Sequence, residues 1–364
     1  MGDAVTPRRP GGTVLSLQYV RGVGAAMVVV VHASGGLRQA GLHTRVFFLA
    51  GHSAVDMFFV LSGFVITWST LEWGAADFGR YWRARVVRVY PLYLLATLAA
   101  FVALGGATGE NARGVGNLLR GLVFVPSALR GSDRFVSVYG PAWTLSYEVL
   151  FYVLFGIALR WWPSRRVMMV SGVSVGLVIA GLLGAHPFRL AAFVTDPIVL
   201  EFVAGMWLAV LLQRLVAGGT TLPRVPLVVL HTAAWVVIVA FGAVERDRLG
   251  HWRALRWGLP AMVIVGTAVL IEVVGGGVPA WPWLRRLGDA SYAVYMTHLF
   301  VIWAGGEAWQ RLGWTARVPS WLLFAALFLA SHMVGLIVDR WFDVPVRRRL
   351  ARALRPRSAA ASEV

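Results

Sequence analysis

Arg21 and His32 stand eleven positions apart in an apolar stretch. On a helix with about 3.6 residues per turn that is close to three full turns, a rise of about 16.5 Å, so both point along one face. Ionisable groups inside an apolar span are costly unless they face a protein-lined cavity. An imidazole there suits a general base, because it titrates near neutral pH. The plainer alternative has Arg21 snorkelling to headgroups and His32 as a hydrogen-bonded core residue. His52 and Asp56 lie one turn apart, a spacing at which a carboxylate could fix an imidazole tautomer. Arg85 and Arg88, inside the basic run Arg80 to Arg88 that leads into Tyr90-Pro91, share a face at i, i+3. Two guanidinium forks suit a phosphate-rich ligand better than point charges do. Glu148 precedes Tyr152 by one turn, within hydrogen-bond reach, and Tyr295 and His298 again share one face.

These groups need a scaffold, and composition says which. Of 364 residues 58% are hydrophobic and 14% charged, with mean hydropathy +0.68; soluble domains carry about 25% charged residues to face water. Long apolar runs bounded by Trp and Arg recur from Val14 to Val338. Each is near the roughly 20 residues a helix needs to cross hydrocarbon, and the alternating ten-residue segments of a barrel are missing. The chain therefore reads as an all-α integral membrane protein, a bundle of about ten transmembrane helices. The spans fall at 16–34, 46–70, 89–106, 145–161, 167–183, 198–213, 226–243, 257–274, 290–305 and 320–338. The first reads as an uncleaved signal anchor. Leu118–Val125 is apolar but only eight residues long, a re-entrant or interfacial piece.

There is no cysteine, which removes disulfides, thiolate nucleophiles and Cys-ligated metals. The net charge of +17 comes from 34 basic residues, every one Arg, against 17 acidic. They cluster between apolar runs, where they act as topology signals and contacts for membrane lipids and not as a nucleic-acid surface. With the N-terminus inside, 21 of the 34 Arg fall on the inner side, as the positive-inside rule requires. Both termini are then cytoplasmic. The weakest connection is 244–256, which puts four Arg outside, partly offset by Glu245 and Asp247. Three parts follow: a cytoplasmic N-terminal tail over 1–14, a transmembrane core over 15–339, and an Arg-rich cytoplasmic C-terminal tail over 340–364.

Five phrases in order make a larger pattern: the Arg21-to-His32 spacing, Val55-Asp56-Met57-Phe58-Phe59-Val60-Leu61-Ser62-Gly63-Phe64, Arg85-x-x-Arg88-x-Tyr90-Pro91, Trp143-Thr144-Leu145-Ser146 with Glu148 and Phe151-Tyr152, and Ser291-Tyr292 with His298. Together they resemble the acyltransferase 3 family, polytopic membrane O-acyltransferases that use acyl-CoA to acylate hydroxyls of sugars, surface polysaccharides and macrolides. The resemblance spans about residues 15–340. It implies that Arg21 and His32 are the family's essential first-helix pair and that Arg85 and Arg88 handle acyl-CoA. Asp56, Ser62, Gly63 and Glu148 fall on motif positions, whereas His52 departs from the pattern.

The expected activity is transfer of an acyl group, acetyl by expectation, from acyl-CoA as co-substrate to a hydroxyl of a glycan, glycolipid or macrolide acceptor, at a bacterial cytoplasmic membrane. His32 is expected as general base, with Asp56 or Glu148 orienting it or binding acceptor hydroxyls. Arg21, Arg85, Arg88, Ser62 and His298 are expected to bind substrate, and no bound cofactor or metal is required. Direct transfer is favoured, with acyl-His32 or acyl-Ser62 as the alternative route. Only residues 340–364 follow the last span, so the acceptor is expected to be held by the membrane part, and short outer loops lean toward a small or lipid-linked glycoside. A transporter or flippase is the competing class, since buried Arg, His and Glu also mark substrate paths. Gly172-Val-Ser174-Val-Gly176 fits a serine-hydrolase pentapeptide, but it lies inside a span with no strand before it. Glu201, deep in the sixth span, is a candidate polar partner within the bundle.

Overall fold

The computed structural model describes residues 14–42, 49–103, 114–128, 135–184, 189–241 and 253–355. The expected N-terminal tail up to residue 13, the ends of the second, third and seventh spans at 46–48, 104–106 and 242–243, most of the 244–256 connection and residues 356–364 lie outside the described residues.

The described chain is helical apart from a two-residue antiparallel pairing of Ser127–Ala128 with Phe135–Val136. The helices are α1 (Leu15–Gln39), α2 (Ala54–Ser69), α3 (Phe78–Ala103), α4 (Val115–Leu122), α5 (Trp143–Trp161), α6 (Arg166–Leu182), α7 (Arg189–Val194), α8 (Val199–Ala217), α9 (Arg224–Phe241), α10 (Leu259–Val273), α11 (Pro282–Asp289), α12 (Ser291–Arg311), α13 (Ser320–Val338) and α14 (Val344–Ala353). Among the described residues eight helical stretches, built on α1, α2, α3, α5, α6, α8, α10 and α13, are long and apolar enough to cross a membrane. This is a multi-pass membrane protein. The other two expected spans are also helices, but the apolar stretch of α9 is shorter, Arg224–Ala240, and α12 is not among the eight. The segment expected to be re-entrant or interfacial holds α4, at 8 residues far too short to cross.

One boundary differs in a way that matters. The third span, expected from residue 89, starts as a helix at Phe78. Arg is a good helix former, so charge ends the apolar run without ending the helix. Arg80, Arg83, Arg85 and Arg88 therefore sit on α3 and not on a connection before it. At the other end of the chain α13 passes through a π-type turn, Asp339–Asp343, directly into α14.

Hydrogen bonds between connections and helix ends sort them onto two ends of the bundle. At one end Arg166 donates to the carbonyls of Thr70 (2.6 Å), Leu71 (3.0 Å), Trp73 (3.2 Å) and Pro163 (2.6 Å), using one guanidinium to satisfy carbonyls left over at the end of α2. The Glu272 carboxylate of α10 accepts the backbone N–H groups of Leu15 (2.9 Å) and Ser16 (2.6 Å), a cap for α1 that its own preceding residue, Val14, has no side-chain oxygen to supply. At the same end Arg83 on α3 donates to the Leu354 carbonyl after α14 (2.9 Å). At the opposite end Thr315 reaches the carbonyl of Ala40, just past α1 (3.5 Å).

The core is built around α2. Gly63 on α2 and Gly205 on α8 let the two backbones meet, since a Cβ on either would run into a carbonyl of the other helix, that of Phe202 or of Val60. Phe59, Phe151 and Phe202 stack at this junction, with ring centroids 4.6 and 4.7 Å apart. The close crossing fixes the rotation of α2 and so the direction in which Ser62, next to Gly63, points.

Candidate active site

Ser62 donates to Glu148 Oε1 (3.1 Å), which also accepts the hydroxyl of Tyr152 one turn along α5 (2.5 Å). Tyr152 is fully packed, and its own carbonyl accepts from Tyr81 of α3 (2.9 Å), which ties α5 to the helix carrying the Arg pair. The guanidinium of Arg85 lies 5.3 Å from the Tyr81 ring and 5.8 Å from the Tyr152 ring. Its Nε is buried without a hydrogen-bond partner.

Arg21, Arg85, Arg88, Ser62 and Glu148 surround one cleft, closed by apolar residues of α2 such as Val55 and Val65 and by Tyr292 and Tyr295 of α12. The cleft is thus bipolar in character, with three guanidinium groups and one carboxylate set in an apolar wall. Guanidinium groups in a low-dielectric recess bind anions far more strongly than they do in water.

His32 and His298 do not line this cleft. They form their own unit, His298 Nε2 and His32 Nδ1 lying 2.9 Å apart with ring centroids 4.9 Å apart. The unit adjoins the cleft through Tyr295, whose ring is 5.8 Å from that of His298 and whose hydroxyl contacts Thr144 Oγ1 and the Pro141 carbonyl, both at 2.9 Å.

The side-chain hydrogen bonds of His32 and Asp56 run to other partners than the sequence suggests. Neither Asp56 nor Glu148 is hydrogen-bonded to His32; its side-chain partner is His298, and its ring also bonds the Val28 backbone. Asp56 instead receives a bidentate bond from Arg253, Nη2 to Oδ2 at 2.9 Å and Nε to Oδ1 at 3.1 Å, with its side chain fully buried. Arg253, counted by sequence as one of the four outer-side Arg of a connection, immediately precedes the π-type turn Ala254–Gly258 that leads into α10, and its guanidinium lies over Trp257 (5.1 Å) and Trp143 (5.8 Å). Glu201 packs beside it, against Gly258. His52 stacks on Trp257 (6.1 Å between centroids). Arg253 is the partner of Asp56 that sequence reasoning missed. Its signal was the anomaly of that connection, which carries Arg where the positive-inside rule disfavours it. Among the described residues no group of three or more His, Asp or Glu is placed to hold a metal ion.

A multi-pass helical bundle encloses a recess lined by Arg, Glu and Ser with a paired imidazole beside it, which defines a membrane protein with a polar site inside the bundle. The family model described as an acyltransferase domain matches residues 14–340, nearly the whole chain, and the chain belongs to the acyltransferase 3 family. It is 30% identical over 308 residues to the exopolysaccharide production protein ExoZ of Rhizobium meliloti (strain 1021), covering 83% of this chain and 91% of that one. It is 27% identical over 316 residues to the acyltransferase MdmB of Streptomyces mycarofaciens, covering 79% of each. A third relative, protein 2 of the picA locus of Rhizobium radiobacter, is 32% identical over 198 residues, 48% of this chain and 94% of that one. No solved structure matches. The chain is therefore a membrane acyltransferase, and the transporter alternative finds no support among these relatives.

Proposed function

We propose that the protein transfers an acyl group, acetyl in the simplest case, from acyl-CoA to a hydroxyl of a glycan, glycolipid or macrolide-type acceptor at the bacterial cytoplasmic membrane. The observation that carries the donor half is the convergence of Arg21, Arg85 and Arg88 on one cleft from two helices. Three guanidinium groups match the phosphates of a CoA nucleotide, and the apolar stretch between them and Tyr295 suits the pantetheine arm. The relatives motivate the acceptor half, one being named for exopolysaccharide production and one for acyl transfer.

The chemistry needs a base and an exit for the thiolate. His32 takes the proton from the acceptor hydroxyl as its oxygen attacks the thioester carbonyl. The tetrahedral oxyanion then collapses, the C–S bond breaks, and the CoA thiolate leaves with the proton returned from His32. The products are an ester and free CoA, with no net gain or loss of protons. Arg21 and the Ser62–Glu148–Tyr152 chain hold the donor and acceptor ends in register. Asp56, bound to Arg253, supports α2 and does not touch the reacting atoms.

The arrangement in the membrane follows the Arg asymmetry: ten crossings, both termini cytoplasmic, and the Arg85/Arg88 end of the cleft facing the cytoplasm, where acyl-CoA is made.

The test is CoA release by the purified protein with acetyl-CoA and a panel of glycoside and macrolide acceptors. His32→Ala should lose about 10²–10⁴-fold in turnover per folded molecule while donor binding persists. Unchanged turnover in that variant removes His32 from the mechanism. The absence of CoA release with every acceptor overturns the activity.

A further inference from the structure

His298 is the imidazole against which His32 packs, and its surroundings leave it little freedom. Its side chain is fully buried, on the face of α12 that meets α1. Its Nδ1 lies 2.7 Å from the backbone carbonyl of Tyr295 and 3.2 Å from that of Val294. Carbonyl oxygens only accept, so Nδ1 of His298 must carry a hydrogen. In a neutral imidazole the other nitrogen is then a bare acceptor. That nitrogen, Nε2, lies 2.9 Å from His32 Nδ1. A second proton on His298 would place a charge in the core with no carboxylate among its hydrogen-bond partners. The hydrogen in the His298–His32 bond therefore belongs to His32 Nδ1, and the lone pair of His32 is left on Nε2.

From this chain of bonds we infer that His298 is a positioning residue that fixes His32 in the Nδ1–H tautomer and so makes Nε2 the proton-accepting atom; the inference rests on the reading of His32 as general base. His298 does here, as a neutral group anchored on a backbone carbonyl, what a carboxylate does in many base-and-orienter pairs. When His32 Nε2 takes the hydroxyl proton, His32 becomes an imidazolium whose Nδ1–H still donates to His298 Nε2, so the charge formed in the step keeps its partner without any proton leaving the pair. A carboxylate at this position would make the imidazolium state more favourable and hold the proton back from the departing thiolate. A neutral orienter leaves it free to move on. The orientation is held at both ends: Tyr295 supplies the anchoring carbonyl and, through its hydroxyl, also joins Thr144 and Pro141 at the wall of the cleft.

Two variants of the full-length protein and one spectroscopic measurement test this. His298→Gln keeps a side-chain carbonyl able to accept from His32 Nδ1–H, whereas His298→Leu removes the side-chain acceptor and leaves only the Val28 backbone carbonyl. We expect acetyl-CoA binding to stay at the wild-type level in both. Turnover per folded molecule should fall roughly 10–100-fold in His298→Leu, the usual range for losing a partner that orients a working imidazole, and His298→Gln should recover to within a few-fold of wild type. Nitrogen-15 NMR of histidine-labelled protein, with the His32 signals identified by their loss in His32→Gln, should show the Nδ1–H tautomer in wild type and a smaller share of it in His298→Leu, where the Val28 backbone is the one partner left. Wild-type turnover in His298→Leu, a Gln variant no better than Leu, or an Nε2–H tautomer at His32 in the wild type would each overturn the inference. Failure of the base reading has a different signature, a fully active His32→Ala protein, so the two are told apart.

Discussion

Arg253 and Asp56, 197 residues apart in sequence, form a bidentate ion pair inside the bundle, with the Asp56 side chain fully buried and that of Arg253 12% exposed. By its motif position Asp56 invites a catalytic role; its bond to Arg253 ties α2 to the start of α10. Removing one partner of a buried pair strands the other charge, at a cost of about 3–5 kcal/mol, while replacing both by apolar groups of similar size is often neutral. Asp56→Leu alone should therefore sharply lower the yield of folded protein. Asp56→Leu combined with Arg253→Met should restore it, and the restored protein should turn over. A folded but inactive double variant would place Asp56 in the chemistry after all.

The sequence made the helical class legible because hydrocarbon imposes one requirement, long apolar helices, that composition cannot hide. It misplaced the start of α3 because charge and helix propensity part company in Arg: Arg80 to Arg88 end the apolar run but extend the helix. Arg21, Ser62, Arg85, Arg88 and Glu148 were legible as a group because each sits in a distinctive local phrase, and they do surround one cleft. The partnerships His32 with His298 and Asp56 with Arg253 were not legible. Local spacing offered nearer partners, and only the packing of α1 on α12 and of α2 beside α10 decides between them.

The close crossing of α2 and α8 gives a prediction whose sign is a competition. Ala is a better helix former than Gly by about 1 kcal/mol, so Gly→Ala on an open helix face should stabilise. Gly172 and Gly176 on α6 have nothing near the position a Cβ would take, and Ala at either should raise the thermal midpoint slightly. At Gly63 the Cβ would meet the Phe202 carbonyl, which is backbone and cannot rotate away. Overpacking of this kind costs about 1–3 kcal/mol and outweighs the propensity gain. Gly63→Ala should lower the midpoint in detergent and, by turning Ser62 away from Glu148, lower turnover too. A midpoint at or above wild type would mean that the helices separate without penalty.

Sidedness is directly testable, because a chain without cysteine gives no background labelling. Thr221, between α8 and α9, and Arg317, between α12 and α13, are both exposed. In the ten-crossing arrangement Thr221→Cys should react only with probes that reach the cytoplasmic face and Arg317→Cys only with impermeant probes added from outside. Labelling of both positions from one side would remove that arrangement.

Donor recognition separates charge from geometry. Arg85 and Arg88 reach the cleft from adjacent turns of α3, and Arg85 is held between two tyrosine rings with its Nε unpartnered. An unpartnered buried N–H is a cost that a ligand acceptor would remove, so this donor is poised for an anion. Lys keeps the positive charge but loses the planar fork, the stacking on Tyr81 and Tyr152, and the Nε–H itself. Each Arg→Lys change should therefore weaken acetyl-CoA binding, with Arg85→Lys the more severe. Loss of a hydrogen bond to a charged group, worth about 1.5–3 kcal/mol, corresponds to roughly a 10–100-fold rise in Kd. Turnover at saturating donor should change much less, because the phosphates stay remote from the carbonyl that reacts. Binding of 3′-dephospho-CoA gives the control: if an Arg reads the 3′-phosphate, its substitution should cost little further with this donor, and if it reads the diphosphate, the loss should persist. Equal acetyl-CoA affinity in wild type and an Arg85→Ala, Arg88→Ala double variant would leave the two residues with no part in donor binding.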